Sequence, residues 1–115
     1  MTEAMDISIY TYAKDAASIL EGVKTYFSQQ FPAEKLAWKE SGNDLKISLT
    51  VSEEEITRVF EELVKQYPEL GVNASFSYDV REGDTSAQWW GTTRIYAEKE
   101  DGEIKIVSSS STYWN

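Results

Sequence analysis

The chain opens with a stretch in which apolar and polar residues alternate. Between residues 6 and 12, Ile7 and Ile9 alternate with Ser8, Tyr10 and Tyr12. This pattern is typical of a strand with one buried face. We expect Ile7 and Ile9 to face a hydrophobic core. Tyr10 and Tyr12 then face the opposite side of the sheet.

Two later segments carry apolar residues at helical spacing. The first runs from residue 16 to about residue 30, with Asp15 as its expected N-cap and Gly22 on its outward face. The second begins after Ser52, which forms a capping box with Glu55, and ends before Pro68. Each helix presents one apolar stripe, so both are expected to pack on a sheet.

The remaining segments predict strands at residues 35–40, 44–51, 73–80, about 87–98 and 103–110. Gly42 and the pair Asp101 and Gly102 suit tight hairpin turns. The resulting order is β-α-β-β-α-β followed by two further strands. We therefore predict an α+β, ferredoxin-like fold extended by two C-terminal strands, with both helices on one face of an antiparallel sheet.

Length and composition narrow the possible functions. The chain has 115 residues, which predicts a single domain over residues 1–115, and a formal net charge of −9. That charge disfavours nonspecific binding to nucleic acid or to an anionic membrane. The sequence contains no Cys and no His. Disulfides, thiol nucleophiles, imidazole bases and ordinary zinc sites are therefore excluded, and we expect neither an enzyme nor a cofactor or metal site.

No stretch of the sequence resembles a signal peptide, a lipidation motif or an apolar run of the roughly 20 residues that a membrane-spanning helix needs. We expect a cytoplasmic protein with no membrane partner.

Residues 42–91 carry a Gly/Asp turn, a strand, a helix, the element Tyr67-Pro68-Glu69-Leu70 and a further strand containing an aromatic residue. This segment resembles the ferredoxin-like domain of small, mostly uncharacterised proteins of phages, plasmids and other mobile elements. The resemblance implies the same fold and an accessory role in a mobile element. It implies no catalytic residues.

The sheet face opposite the isoleucines is the strongest candidate for a binding site. Strand alternation places several aromatic residues and an arginine on it, and such residues dominate the energetics of protein interfaces. The C-terminal strands could instead fold over this face and bury it. The candidate partner-binding residues are Tyr10, Tyr12, Trp90, Arg94 and Tyr96.

These observations favour a small, acidic, non-enzymatic domain that binds a partner protein stoichiometrically, as anti-defence or immunity-type proteins of mobile elements do. The net charge favours a basic partner, and self-association is a further possibility. Two alternatives stay open. The exposed face could bind a ligand or single-stranded nucleic acid, or the carboxylates of the second helix could mimic DNA.

Overall fold

The computed structural model describes residues 2–80 and 89–114, and it describes side chains for residues 2–77 and 91–111. The protein is an α+β structure in which two helices pack on an antiparallel six-stranded sheet with the strand order β2-β3-β1-β4-β5-β6. The elements are β1 (Thr2–Thr11), α1 (Ala16–Gln30), β2 (Lys39–Ser41), β3 (Asp44–Ser52), α2 (Glu53–Gln66), β4 (Leu70–Val80), β5 (Trp89–Glu100) and β6 (Glu103–Trp114).

The core lies between the helices and one face of the sheet. Strand β1 is central, and its buried residues alternate with polar or exposed ones, as the sequence predicted. In the register of the sheet, Ile7 lies opposite Ile47 on β3 and Ala74 on β4, and Ala74 lies opposite Ile95 on β5. This row of buried apolar residues crosses four strands, so the helices cover one continuous hydrophobic surface.

The two helix starts differ from each other. Ser52 is the N-cap of α2, and its hydroxyl accepts a hydrogen bond of 3.1 Å from the Glu55 N–H, which confirms this half of the predicted capping box. Asp15 occupies the N-cap position of α1 but makes no side-chain capping hydrogen bond. The prediction of its residue position is therefore confirmed, whereas its predicted capping role is wrong.

Residues 35–40 are not one strand, and this prediction is wrong. A short 3-10 turn, Ala33–Lys35, follows Pro32, and β2 then has only three residues. Between them, Leu36 and Trp38 pack against the core, and the Trp38 ring meets the Phe27 ring of α1 edge-on at 5.0 Å between centroids. Packing of these two side chains against the helix layer competes with continuous strand pairing and prevails.

Gly22 does not lie on an open outward face of α1, in contrast to the prediction. The Tyr67 side chain, at the C-terminal end of α2, packs across it. A Cβ atom at Gly22 would overlap the Tyr67 hydroxyl and lie 2.9 Å from Cζ of the same ring. The missing side chain therefore lets the end of one helix approach the other closely.

Strands β5 and β6 continue the sheet beyond β4. They form a hairpin of twelve consecutive residue pairs, from Trp89 opposite Trp114 to Glu100 opposite Glu103, with no interruption of the register. The hairpin turn contains Asp101 at φ 51° and Gly102 at φ 78°. In the described part of the chain, these strands thus widen the sheet and do not fold over the face that the helices leave uncovered.

Candidate binding face

The face of the sheet turned away from the helices is called the open face here. Its central part is built from side chains that alternate with the buried core residues on four adjacent strands. One row across the sheet runs from β2 to β6, and the neighbouring row on the same face lies two residues further along β1. The first row is Lys39, Lys46, Ser8, Asn73, Tyr96 and Val107, and the second contains Ser41, Asp44, Tyr10 and Gly71.

Tyr10 lies directly over a glycine of the neighbouring strand. Tyr10 on β1 and Gly71 on β4 are opposite each other in the register. A Cβ atom added at Gly71 would overlap the Tyr10 ring, with Cε2 at 2.5 Å and Cε1 at 2.7 Å. The ring therefore takes the space that any other residue at position 71 would fill, and it covers the backbone of β4.

Tyr12 extends the aromatic surface beyond the end of β1. Its ring meets the Tyr10 ring edge-on, with 5.8 Å between centroids, and the residue is 86% exposed whereas Tyr10 is 38% exposed. Between them, Thr11 is fully buried, and its hydroxyl accepts a hydrogen bond of 3.2 Å from the Ala13 N–H. Thr11 thus fixes the backbone between the two tyrosines.

Arg94 and Tyr96 form a second group on β5. The Arg94 guanidinium carbon lies 5.2 Å from the centroid of the Tyr96 ring, a cation–π arrangement. The Arg94 Nε–H also donates a hydrogen bond of 3.3 Å to Oδ1 of Asn73 on β4. Asn73 therefore orients an exposed arginine whose long side chain would otherwise be free to rotate.

The structure thus places four of the five predicted residues on or at the edge of the open face. Tyr10 with Tyr12 and Arg94 with Tyr96 form two groups on either side of β4. Trp90 pairs with Asp79 and Tyr113 in the register of the sheet, and its side chain lies outside the described residues.

Sequence reasoning missed Gly71 and Asn73, the two β4 residues that support these groups. Gly71 lies within β4, although the strand predicted from the sequence begins only at residue 73. The sequence signal for Gly71 was a glycine near the start of a strand, because glycine there often marks a place that another group approaches closely.

Charge is unevenly distributed between the two sides of the molecule. Helix α2 carries Glu53, Glu54, Glu55, Glu61 and Glu62 against two cations. The open face is close to neutral, because its described strand residues include four cations and five carboxylates. The cations are Lys39, Lys46, Arg94 and Lys105, and the carboxylates are Asp6, Asp44, Glu98, Glu100 and Glu103.

A groove lies between α1 and α2 on the opposite side. It is lined by Tyr26 and Phe31 and by the charged residues Glu55, Arg58 and Glu62. Burial raises the pKa of Tyr26 above its usual value of 10.0, and the negative charge of Glu62 raises it further. A tyrosine with a raised pKa stays protonated near neutral pH, so it offers no activated nucleophile.

The described residues offer neither a metal site nor a membrane-spanning helix. No group of three or more Asp or Glu side chains lies close enough together to hold a metal ion. Neither described helix has the length and hydropathy to cross a membrane.

Comparison with known proteins gives no family. A scan against models of protein families finds no match, and a search of curated proteins finds no significant match.

Proposed function

We propose that this protein is a non-enzymatic binding module that captures a partner protein on the open face. One observation carries the proposal: Tyr10 and Tyr12 expose a ring pair on a sheet surface that no described element covers. Tyrosines supply a large contact area with only two rotatable angles, and here the buried Thr11 and the glycine under Tyr10 restrain them further. Little entropy is then lost when a partner docks.

The charge around these rings refines the expected partner. The net charge of −9 favours a basic partner, and the five carboxylates of α2 lie on the other side of the sheet. The open face is nearly neutral. We therefore propose that the basic partner is attracted at long range by the molecule as a whole, and that its contact surface carries both signs of charge, including an acidic group facing Arg94.

The fold and the biological setting are part of the same proposal. The strand order β2-β3-β1-β4 with two crossing helices supports a ferredoxin-like unit, to which β5 and β6 add an edge. We propose a cytoplasmic accessory protein of a mobile element, acting by stoichiometric inhibition or neutralisation of its target. The resemblance of residues 42–91 and the absence of His and Cys from the sequence support this role.

Site-specific photo-crosslinking tests the proposal. A benzophenone amino acid is placed at position 12, which is 86% exposed, and in a control chain at position 65 on α2, where the lysine side chain is 73% exposed. In lysate of the source cells we expect one protein adduct from position 12 and none from position 65. Adducts from both positions, or from neither, would contradict the proposal.

Single substitutions then test the named residues. Tyr12→Ala and Arg94→Ala should each weaken capture at least tenfold, while Lys65→Ala, a charge-matched control on α2, should leave it unchanged. Because Tyr12 and Arg94 are exposed, neither change should lower the melting temperature by more than a few degrees. Unchanged capture by both variants would exclude the open face as the binding site.

Single-stranded nucleic acid is the second candidate, and the row of Lys39, Lys46 and Tyr96 on the open face favours it. Proteins that stack bases on a sheet use aromatic residues of adjacent strands. Strand β3 has no aromatic residue on the open face, which disfavours this candidate. Fluorescence anisotropy with a labelled oligonucleotide at 50 mM and 200 mM salt separates the candidates, because binding to nucleic acid falls steeply with salt. Competition by duplex DNA for a captured protein would instead indicate a DNA mimic.

A further inference from the structure

Strand β6 is the outermost strand of the sheet and is 12 residues long. Its inner edge pairs with β5 along its whole length. No strand of the described residues pairs with its outer edge. An antiparallel strand directs about half of its backbone N–H and C=O groups outward, so β6 presents an extended row of hydrogen-bonding groups.

Soluble proteins usually protect such an edge, and the two edges of this sheet differ in that respect. Strand β2 has only three residues, among them Lys39 and Glu40. Strand β6 lacks the usual protection: the chain contains no charged residue and no proline from residue 106 onward, and the β5–β6 register contains no bulge. Residues 108–111 are four exposed serines, small enough to admit a neighbouring backbone.

From this edge we infer that two copies of the chain associate by antiparallel pairing of their β6 strands, with the two-fold axis at one residue of the segment 108–111. The charges of the strand are compatible with this arrangement. Glu103 and Lys105 lie at its beginning, so antiparallel pairing places them near residues 112–114 of the second copy, which have no charged side chain. Parallel pairing would instead place each Glu103 beside its equivalent, which is unfavourable.

A second copy is favoured over an unrelated strand because the segment is complementary to itself. Its central residues are uncharged, so no local repulsion between side chains opposes pairing at the centre of the interface. Two-fold pairing also consumes both long edges and leaves only the short, charged β2 edges outside. The assembly therefore closes as a dimer and does not grow into a fibre.

The dimer would contain one continuous sheet of two times six strands. Antiparallel pairing in one sheet requires a two-fold axis perpendicular to it, so both open faces lie on the same side. Seven strand spacings separate the two β1 strands that carry Tyr10, which corresponds to roughly 34 Å measured perpendicular to the strands.

Sedimentation equilibrium of the full chain tests the inference. We expect a species of twice 13.1 kDa that dissociates on dilution. Substitution of the two exposed open-face serines of β6, Ser109→Lys and Ser111→Lys, should weaken dimerisation at least tenfold, because the introduced lysines face those of the second copy. A charge-matched control, Ala4→Lys and Ser77→Lys on interior strands, should dimerise as the original chain does.

A purely monomeric chain at 100 µM, or equal dimerisation of both lysine variants, would overturn the inference. Cysteine scanning supplies an independent measurement, since the chain has no Cys of its own. Single cysteines at positions 108, 109, 110 and 111 should give a disulfide-linked dimer at one position or more, because paired strands bring Cβ atoms within bonding range near the axis. No disulfide at any of the four, or equal crosslinking of Ser41→Cys on β2, would overturn it as well.

Discussion

The packing of the Tyr10 ring over Gly71 allows a quantitative prediction, because the ring occupies the space of a single absent side chain. The ring is 38% exposed and covers the glycine on the neighbouring strand. We take roughly 60 Å² of apolar surface as the area that this contact removes from water, which corresponds to about 1.5 kcal/mol. The contact should therefore be measurable as a coupling between the two positions.

The perturbation is a double-mutant cycle. Tyr10→Ala alone should lower the free energy of unfolding by about 1.5 kcal/mol. Gly71→Ala alone displaces the ring but gains about 0.5 to 1 kcal/mol, because alanine loses less backbone entropy than glycine in a strand, so its net loss should be below about 1 kcal/mol. When Tyr10 is already alanine, Gly71→Ala should stabilise the protein by the full gain of about 0.5 to 1 kcal/mol.

Urea denaturation followed by tryptophan fluorescence measures all four proteins. We expect a coupling of about 1.5 kcal/mol, with Gly71→Ala changing from destabilising to stabilising according to the residue at position 10. Effects that add within about 0.5 kcal/mol would refute the reasoning, since independent sites behave in that way.

Three further predictions concern other contacts. Gly22→Ala should not give the gain of about 1 kcal/mol expected in a helix, because the new Cβ overlaps the Tyr67 hydroxyl, and thermal unfolding should show that gain only in a Tyr67→Ala background. Thr11→Val should lower the free energy of unfolding by about 1 kcal/mol, measured in urea, because the partly buried Ala13 N–H loses its acceptor and the Glu69 carbonyl loses a donor. The raised pKa of Tyr26 contributes stability that is present below pH 10 and is lost as the pH rises through the folded-state pKa. Tyr26→Phe should therefore reduce the loss of stability at alkaline pH. Glu62→Gln should lower the Tyr26 pKa, measured by ultraviolet titration.

The sequence predicted the architecture well where hydrophobic alternation is regular. In β1 and β3 every buried residue follows the expected period of two, and Ser52 correctly predicted the start of α2. The segment at residues 35–40 was mistaken for a strand, because Leu36 and Trp38 also have a spacing of two. Only the position of α1 shows that these residues pack on a helix.

The sequence predicted the exposed side chains of the candidate site but not the β4 residues that contact them. Alternation placed Tyr10, Arg94 and Tyr96 on the open face, whereas Gly71 and Asn73 depend on the register between strands that are distant in sequence. The neutral charge of the open face was hidden for the same reason. A net charge of −9 describes the whole chain, and only the folded structure shows that the charged face of α2 lies on the side of the sheet opposite the open face.

The central position of β1 has a consequence for synthesis on the ribosome. The strand pairs with β3, whose Ile47 lies opposite Ile7, and with β4, whose Ser75 lies opposite Asp6. At 5 to 20 residues per second, roughly 3 to 14 s separate the synthesis of Asp6 from that of Ser75. Both edges of β1 are unpaired until β3 is synthesised, and the edge that pairs with β4 stays open for the whole interval. Aggregation of the nascent chain is therefore favoured before β4 leaves the ribosome, and chaperone binding should concentrate on Thr2–Thr11.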